Sequence, residues 1–302
     1  MYKQAKKTTR FQSRGKAAWL FLLPSFLIIG LFNFVPLLSA LGISFLKMNI
    51  FLKNISFVGL DNYRQILVDN RFWNALQNTL WFTVMEAPMQ IGLALLVASL
   101  LYRNTRFRRF MRSVFYIPVV CSMTAMGILW SMLLDPNLGY YSYVFKILGS
   151  GNPLFLKDPA MAMFWVVLVT VWKNFGLTMM ILIAGFQDIP STYYEAAQID
   201  GANSRQAFQH ISFPLIRPAL GFCVITVIID CLKVFDQVYV MTQGGPLNKT
   251  ETVVQYIYKK GFSIAPFNLG YASAVAELLF VLIAVVTFFL FRSLNRKEVA
   301  EY

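Results

Sequence analysis

The stretch STYYEAAQIDGANSRQAF, residues 191–208, is a polar insert rich in small residues and acids between two long apolar runs, 160–184 and 218–235. It follows Ile189-Pro190, and Thr192 with Glu195 has the spacing of a capping box, which predicts a helix starting there. Gly201 can take the left-handed conformation that ends a helix. Asn203 with Gln206 repeats the capping pattern and starts a second helix, which Pro214 is expected to terminate. Ala196, Ala197, Gly201 and Ala202 leave the first helix and its turn nearly bare, so another protein's backbone can approach closely. Tyr193 and Tyr194, on the face of Ala197, offer anchors for a groove. The insert is shaped to be held.

What surrounds it is built for lipid. The chain is 57% hydrophobic and only 14% charged, too greasy for a soluble domain. A transmembrane helix needs about 20 mostly apolar residues, and such runs lie near 17–46, 78–101, 113–134, 160–184, 218–235 and 273–291. Six spans are predicted. The first run follows Lys3, Lys6, Lys7, Arg10, Arg14 and Lys16, as a signal peptide would. Its length exceeds the roughly 7–15 apolar residues of a cleaved signal, so it reads as a retained helix. The domain reading is a basic tail at 1–16, a six-span membrane domain over 17–292 with the polar loop at 185–217, and a tail at 293–302.

Basic residues orient the spans. An even count puts the N-terminal tail on one side with Arg103, Arg106, Arg108, Arg109, Arg112, Arg205, Arg217, Arg292, Arg296 and Lys297, sixteen Lys/Arg in all. The other side, with longer loops, carries nine. Positive-inside then places both termini in the cytoplasm. The net charge of +13 reads as contact with anionic headgroups and not with nucleic acid, because the bases flank spans. Cys121, Cys223 and Cys231 all fall in apolar runs, and His210 is the single histidine, so disulfide frameworks, zinc sites and Ser/His/Asp triads have little to draw on.

The segment after the first span, with Ile66, Leu67, Phe72, Trp73 and Leu76 at helical intervals, is expected to lie along the outer interface. Pro24, Pro36, Pro88 and Pro118 fall in or near spans, where a proline removes a backbone donor. Packing irregularity and a solute pathway are equally open explanations.

An ionisable side chain at membrane depth costs about 2.5–3.5 kcal/mol, so it faces a cavity or a partner. Lys173 lies near the middle of the fourth span beside Trp172 and Asn174, with Glu86 in the second and Glu277 in the sixth. Cavity lining and a structural ion pair both remain open for these. Asp230, Lys233 and Asp236 recur at three-residue steps and can pair along one helix face. Carboxylates, amides and aromatic rings suit a polyhydroxylated solute, and Tyr239 and Trp172 supply rings that packing explains equally well.

The residues Glu195-Ala196-Ala197, Asp200-Gly201-Ala202, Phe208, Ile211, Pro214 and Pro218 resemble the EAA loop of permease subunits in bacterial ABC importers. The run at 57–63 (FVGLDNY), Asn78-Thr79 and KVFDQVYVMTQGGPLNKT at 233–250 resemble the carbohydrate-uptake branch, of maltose and oligosaccharide type. The resemblance implies an all-α membrane protein of the type I ABC importer permease fold, with six spans and a cytoplasmic EAA coupling-helix loop, in the bacterial cytoplasmic (inner) membrane. It implies that Tyr193 to Ala197 and Asp200 to Ala202 dock in a cytoplasmic ATPase, Glu195 and Asp200 as polar contacts or caps and Gly201 as the turn. Implied partners are a second, similar permease, a cytoplasmic ABC ATPase dimer and an extracellular solute-binding protein. ATP and Mg would be bound by the ATPase, leaving this chain without a cofactor, a metal or a catalytic residue of its own. The implied cargo is a carbohydrate. Rival cargoes are polyamine, phosphate or a phosphodiester, and a rival mechanism is an ion-coupled secondary transporter. An anion importer is expected to place arginines in its core, whereas this chain has one lysine and several acids there.

Overall fold

The computed structural model describes residues 19, 21–51, 55–149 and 153–298, with side chains up to residue 294. The basic tail at 1–16, Lys53, the side chains of Arg296 and Lys297, and residues 299–302 lie outside the described residues. In chain order the helices are α1 (Phe21–Ser44), then α2 (Asp61–Val68), α3 (Asn70–Leu101), α4 (Arg106–Val120), α5 (Met123–Leu133), α6 (Tyr140–Ile147), α7 (Ala162–Gln187) and α8 (Ser191–Ile199). They continue as α9 (Ser204–Leu215), α10 (Arg217–Leu232), α11 (Asp236–Met241), α12 (Val253–Tyr258) and α13 (Leu269–Glu298). Two short strands, β1 (Leu46–Lys47) and β2 (Ser56–Phe57), pair antiparallel.

Helices α1, α3, α7 and α13 are each long and apolar enough to cross a bilayer, and the bent pairs α4–α5 and α9–α10 raise the count to six if each pair is one span. The expected third span, 113–134, is not one rod. The chain turns by 92° at Cys121-Ser122, three residues after Pro118, which has no amide to return to the preceding turn. The second span also starts earlier than expected. Asp69 accepts from the amides of Arg71 (2.9 Å) and Phe72 (3.4 Å) and caps α3 at Asn70, so Phe72 and Trp73 belong to the spanning helix and not to an interfacial one.

The fifth run is likewise shorter. Helix α10 ends at Leu232 and α11 begins at Asp236, so Asp236 does not share a helix face with Asp230 and Lys233. Those two alone pair, at 3.6 Å.

The described residues form two compact units, one running to Leu67 and resuming over Lys260–Glu277, the other made of Val68–Lys259 and the chain from Leu278. In the first, the Asn62 side-chain amide donates to the carbonyls of Ser44 (2.7 Å) and Leu46 (3.0 Å), and the Ser44 hydroxyl meets Tyr63 at 2.7 Å. Asn62 and Tyr63 thus hold the end of α1. The amide of Leu269 donates to Met48 at the start of α13. There Gly270 passes so near the Leu46 carbonyl that a Cβ would stand 1.8 Å from it.

In the second unit α3 and α7 form the axis. Phe82, Val166, Val167, Val227 and Val238 share one buried cluster, and Ala94, Ala98, Met179, Leu182 and Ile216 another. Small residues let helices approach closely where lipid offers no hydrophobic drive to associate. Gly176 is the clearest case: a Cβ there would lie 2.4 Å from the carbonyl oxygen of Phe115 in α4.

Candidate functional site

Two features stand out, an exposed helical turn and a cavity between apolar helices. Helix α8 buries none of its residues. It starts at Ser191 with Pro190 as its N-cap and no side-chain cap, so the expected Thr192–Glu195 box does not form. Thr192 already lies inside the first turn, where its hydroxyl cannot serve as a cap. Gly201 does take the left-handed conformation, at φ +78°. The Asn203 box is complete, with Gln206 N–H to Asn203 Oδ1 at 2.9 Å and Asn203 N–H to Gln206 Oε1 at 2.8 Å. Pro214 does not end the second helix, which runs to Leu215. Phe208–Ser212 is wound as a wider π turn, and Pro214 stands in the first positions of the short turn that follows, where its missing amide is not needed.

Tyr193 is 52% exposed, whereas Tyr194 turns back and its hydroxyl meets Ser212 Oγ at 2.9 Å. One tyrosine is therefore presented outward, not two. Glu195, Ala196, Asp200 and Gly201 are exposed, and Ala197 and Ala202 are half-buried. Neither Glu195 nor Asp200 has a side-chain partner among the described residues. The exposed histidine, His210, rests against the Gln206 carbonyl at 3.0 Å, as a surface residue of α9.

The cavity, about 370 Å³, is walled by α3, α7 and α10. It brings together three of the sequence candidates, Glu86, Asn174 and Asp230. Glu86 is 2% exposed and its Oε2 accepts from the Cys231 thiol at 2.6 Å. Gln90 donates to Thr178 Oγ1 at 2.9 Å. Gln90, Thr170 and Thr178 line the cavity but were not singled out by the sequence. Their signal is present: residues 86 and 90, and 170, 174 and 178, are polar stripes at four-residue steps in apolar helices.

The remaining candidates lie elsewhere. Lys173 Nζ is 3.4 Å from both the Val119 carbonyl and Asn174 Oδ1, and it makes no ion pair among the described residues. Trp172 packs edge-on against Trp130, with centroids 5.5 Å apart. Tyr239 stacks on Phe235 at 5.2 Å, and Asp236 is exposed at the start of α11. Glu277 is half-buried in the other unit.

Sequence reading also missed a brace in the loop that follows α11. Glu251, fully buried, accepts from Arg71 (2.7 and 2.8 Å) and from Lys259 (2.8 Å). Burial pushes its carboxyl up, but the bonds from Arg71 and Lys259 outweigh that and hold it below its usual range. Asn78 donates to the carbonyls of Asn248 (2.8 Å) and Glu251 (3.0 Å), and Thr79 Oγ1 accepts from the Val253 amide (3.0 Å). Through the Asn248 carbonyl, the run GGPLNKT is tied to α3.

Residues 90–299 match a family model described as binding-protein-dependent transport system inner membrane component. The sn-glycerol-3-phosphate transport system permease protein UgpA of Agrobacterium fabrum is 33% identical over 92% of this chain and 94% of that protein. The lactose transport system permease protein LacF of Rhizobium radiobacter is 32% identical, covering 93% of this chain and 94% of its own length. Among solved structures, a chain of a bacterial ABC transporter involved in import of the acidic polysaccharide alginate superposes with a TM-score of 0.81 at 22% identity, covering 96% of this chain and 99% of that one. At that identity the likeness speaks for the fold.

Proposed function

This chain belongs to the family of binding-protein-dependent transport system inner membrane components, and from that premise we propose that it is the permease through which an ATP-driven importer moves a carbohydrate across the cytoplasmic membrane. The observation that carries the coupling is the exposure of α8, which buries none of its residues and turns only Tyr194 and Ala197 partly inward. A second permease, a dimer of cytoplasmic ATPases and an external solute-binding protein complete the assembly. Closure of the ATPases on ATP pulls the turn from Glu195 to Gly201, and the spans answer by opening outward. A nucleotide can shift that balance only through its different affinity for the two states.

The surplus of Lys/Arg on one side supports cytoplasmic termini, with α8 on that face and the Glu251 brace outside. Carbohydrate is supported by the hydrogen-bonding lining of the cavity between α3, α7 and α10. It is supported too by the lactose permease relative. The test is ATP-dependent uptake of labelled saccharides by vesicles holding the complete complex. Accumulation of spermidine or phosphate, and of no saccharide, would overturn the cargo reading. Uptake by this chain alone on an ion gradient would overturn the ATP-driven one.

A further inference from the structure

Resting on the reading that α4 enters the bilayer from the cytoplasm, we infer that its outward face holds an anionic phospholipid of the inner leaflet. One arginine of this helix is already engaged. Arg112 turns inward and donates to the carbonyls of Leu101 (2.6 and 2.9 Å) and Tyr102 (2.8 Å), which closes the end of α3. Arg106 and Arg109, three residues apart, share the exposed side. No carboxylate among the described residues pairs with either, and Arg109 donates to Asn104 Oδ1 at 3.1 Å. Two positive charges therefore stand uncompensated at the start of the helix.

Beyond them the same face changes character. Phe110, Val114, Ile117 and Val120 follow at three- and four-residue steps, and all are exposed. From Arg109 to Val120 the helix rises about 16 Å, close to one leaflet of a hydrocarbon core about 30 Å thick. The chain then turns away at Cys121-Ser122. Cations over one turn, followed by an apolar stripe one leaflet long, match a phosphate headgroup and the acyl chain beneath it. Other occupants match less of the face. A second permease would be met by small residues that let helices approach, as Gly176 of α7 does where α4 packs on it, whereas this stripe is aromatic and branched. An acidic protein surface would pair with the arginines and leave the stripe uncovered.

The test is native mass spectrometry of the complete membrane complex, titrated with phosphatidylglycerol and, separately, with phosphatidylcholine of the same acyl chains. Wild type is expected to carry a site that prefers phosphatidylglycerol at least ten-fold. Arg106→Gln with Arg109→Gln is expected to weaken that site about twenty-fold, near five-fold for each basic residue at an anionic surface, and to leave phosphatidylcholine unchanged. Ile117→Ser with Val120→Ser is expected to weaken both lipids together. Arg106→Lys with Arg109→Lys keeps the charges and should keep the preference, which separates lost charge from a disturbed fold. Arg205→Gln removes an exposed cation of α9 and should change nothing. Equal binding of the two lipids by wild type overturns the proposal, and a loss in Arg205→Gln as large as in the α4 pair replaces the site with diffuse attraction. Phosphatidylglycerol binding untouched by both α4 pairs means that another subunit covers this face, and overturns it too. Uptake of labelled saccharides by the same complex is read separately, so that failure of the carbohydrate reading and failure of this site stay distinct.

Discussion

Arg71 grips Glu251 with two nitrogens, Nε at 2.7 Å and Nη2 at 2.8 Å, across 180 residues of chain. The carboxylate has no exposed surface and Lys259 takes Oε1 as well. Removing the buried carboxylate leaves two cations that water still partly reaches, since Arg71 keeps about a third of its side-chain surface, so the cost falls below the roughly 3–5 kcal/mol of a fully buried stranded charge. Glu251→Gln is expected to lower the melting temperature of the detergent-solubilised protein by several degrees. The brace also carries a pH signature. Because its folded carboxyl titrates below the unfolded value of about 4.3, its contribution is complete above that pH and is lost as pH falls through the lower, folded value. Melting followed from pH 6 to pH 3 should show this loss in wild type and a flatter profile in Glu251→Gln.

Asn78 tests the same loop from the other side. Its amide donates to two carbonyls, so Asn78→Asp presents a carboxylate to two acceptors while Asn78→Ala only deletes the donors. The aspartate is expected to be the more damaging change, beyond the roughly 1–3 kcal/mol of an unsatisfied buried group. Comparable melting of the two variants would refute this account of the brace.

Close approach of α4 to α7 depends on Gly176. A methyl group there would stand 2.4 Å from a backbone carbonyl, which cannot swing aside. Gly176→Ala is expected to destabilise by about 1–3 kcal/mol, whereas Gly92→Ala, with open space around it, should not. Thermal melts of the two variants, side by side, decide it.

On the exposed turn, Glu195→Lys is expected to leave membrane abundance and melting unchanged, because nothing among the described residues holds that carboxylate. Solute-stimulated ATP hydrolysis by the assembled complex should fall at least ten-fold. Gly201→Val should do the same with some local strain, since a left-handed conformation costs a branched side chain about 1–3 kcal/mol. Full stimulation in both variants would remove α8 from the coupling role.

Much of the architecture was legible in the residues because it is locally encoded. Run length marks a span, and caps and a left-handed glycine mark a helical turn, as Gly201 and the Asn203–Gln206 box bear out. Local cues misled where two competed. Thr192–Glu195 has capping spacing, but with Pro190 as the N-cap the helix starts two residues sooner. Pro214 looked like a stop until the π turn before it made room.

By itself the sequence determined the all-α membrane character, the apolar stretches that become spans and the polar turn between two of them, since each follows from residues within a few turns of one another. Only the tertiary structure decided that Glu86, Asn174 and Asp230 share a cavity while Trp172 and Glu277 do not, that the third span bends, and that Arg71 reaches Glu251. Those outcomes depend on which faces of distant helices meet. That choice is set by close backbone approach and by buried polar groups finding partners, and neither can be read along one strand of residues.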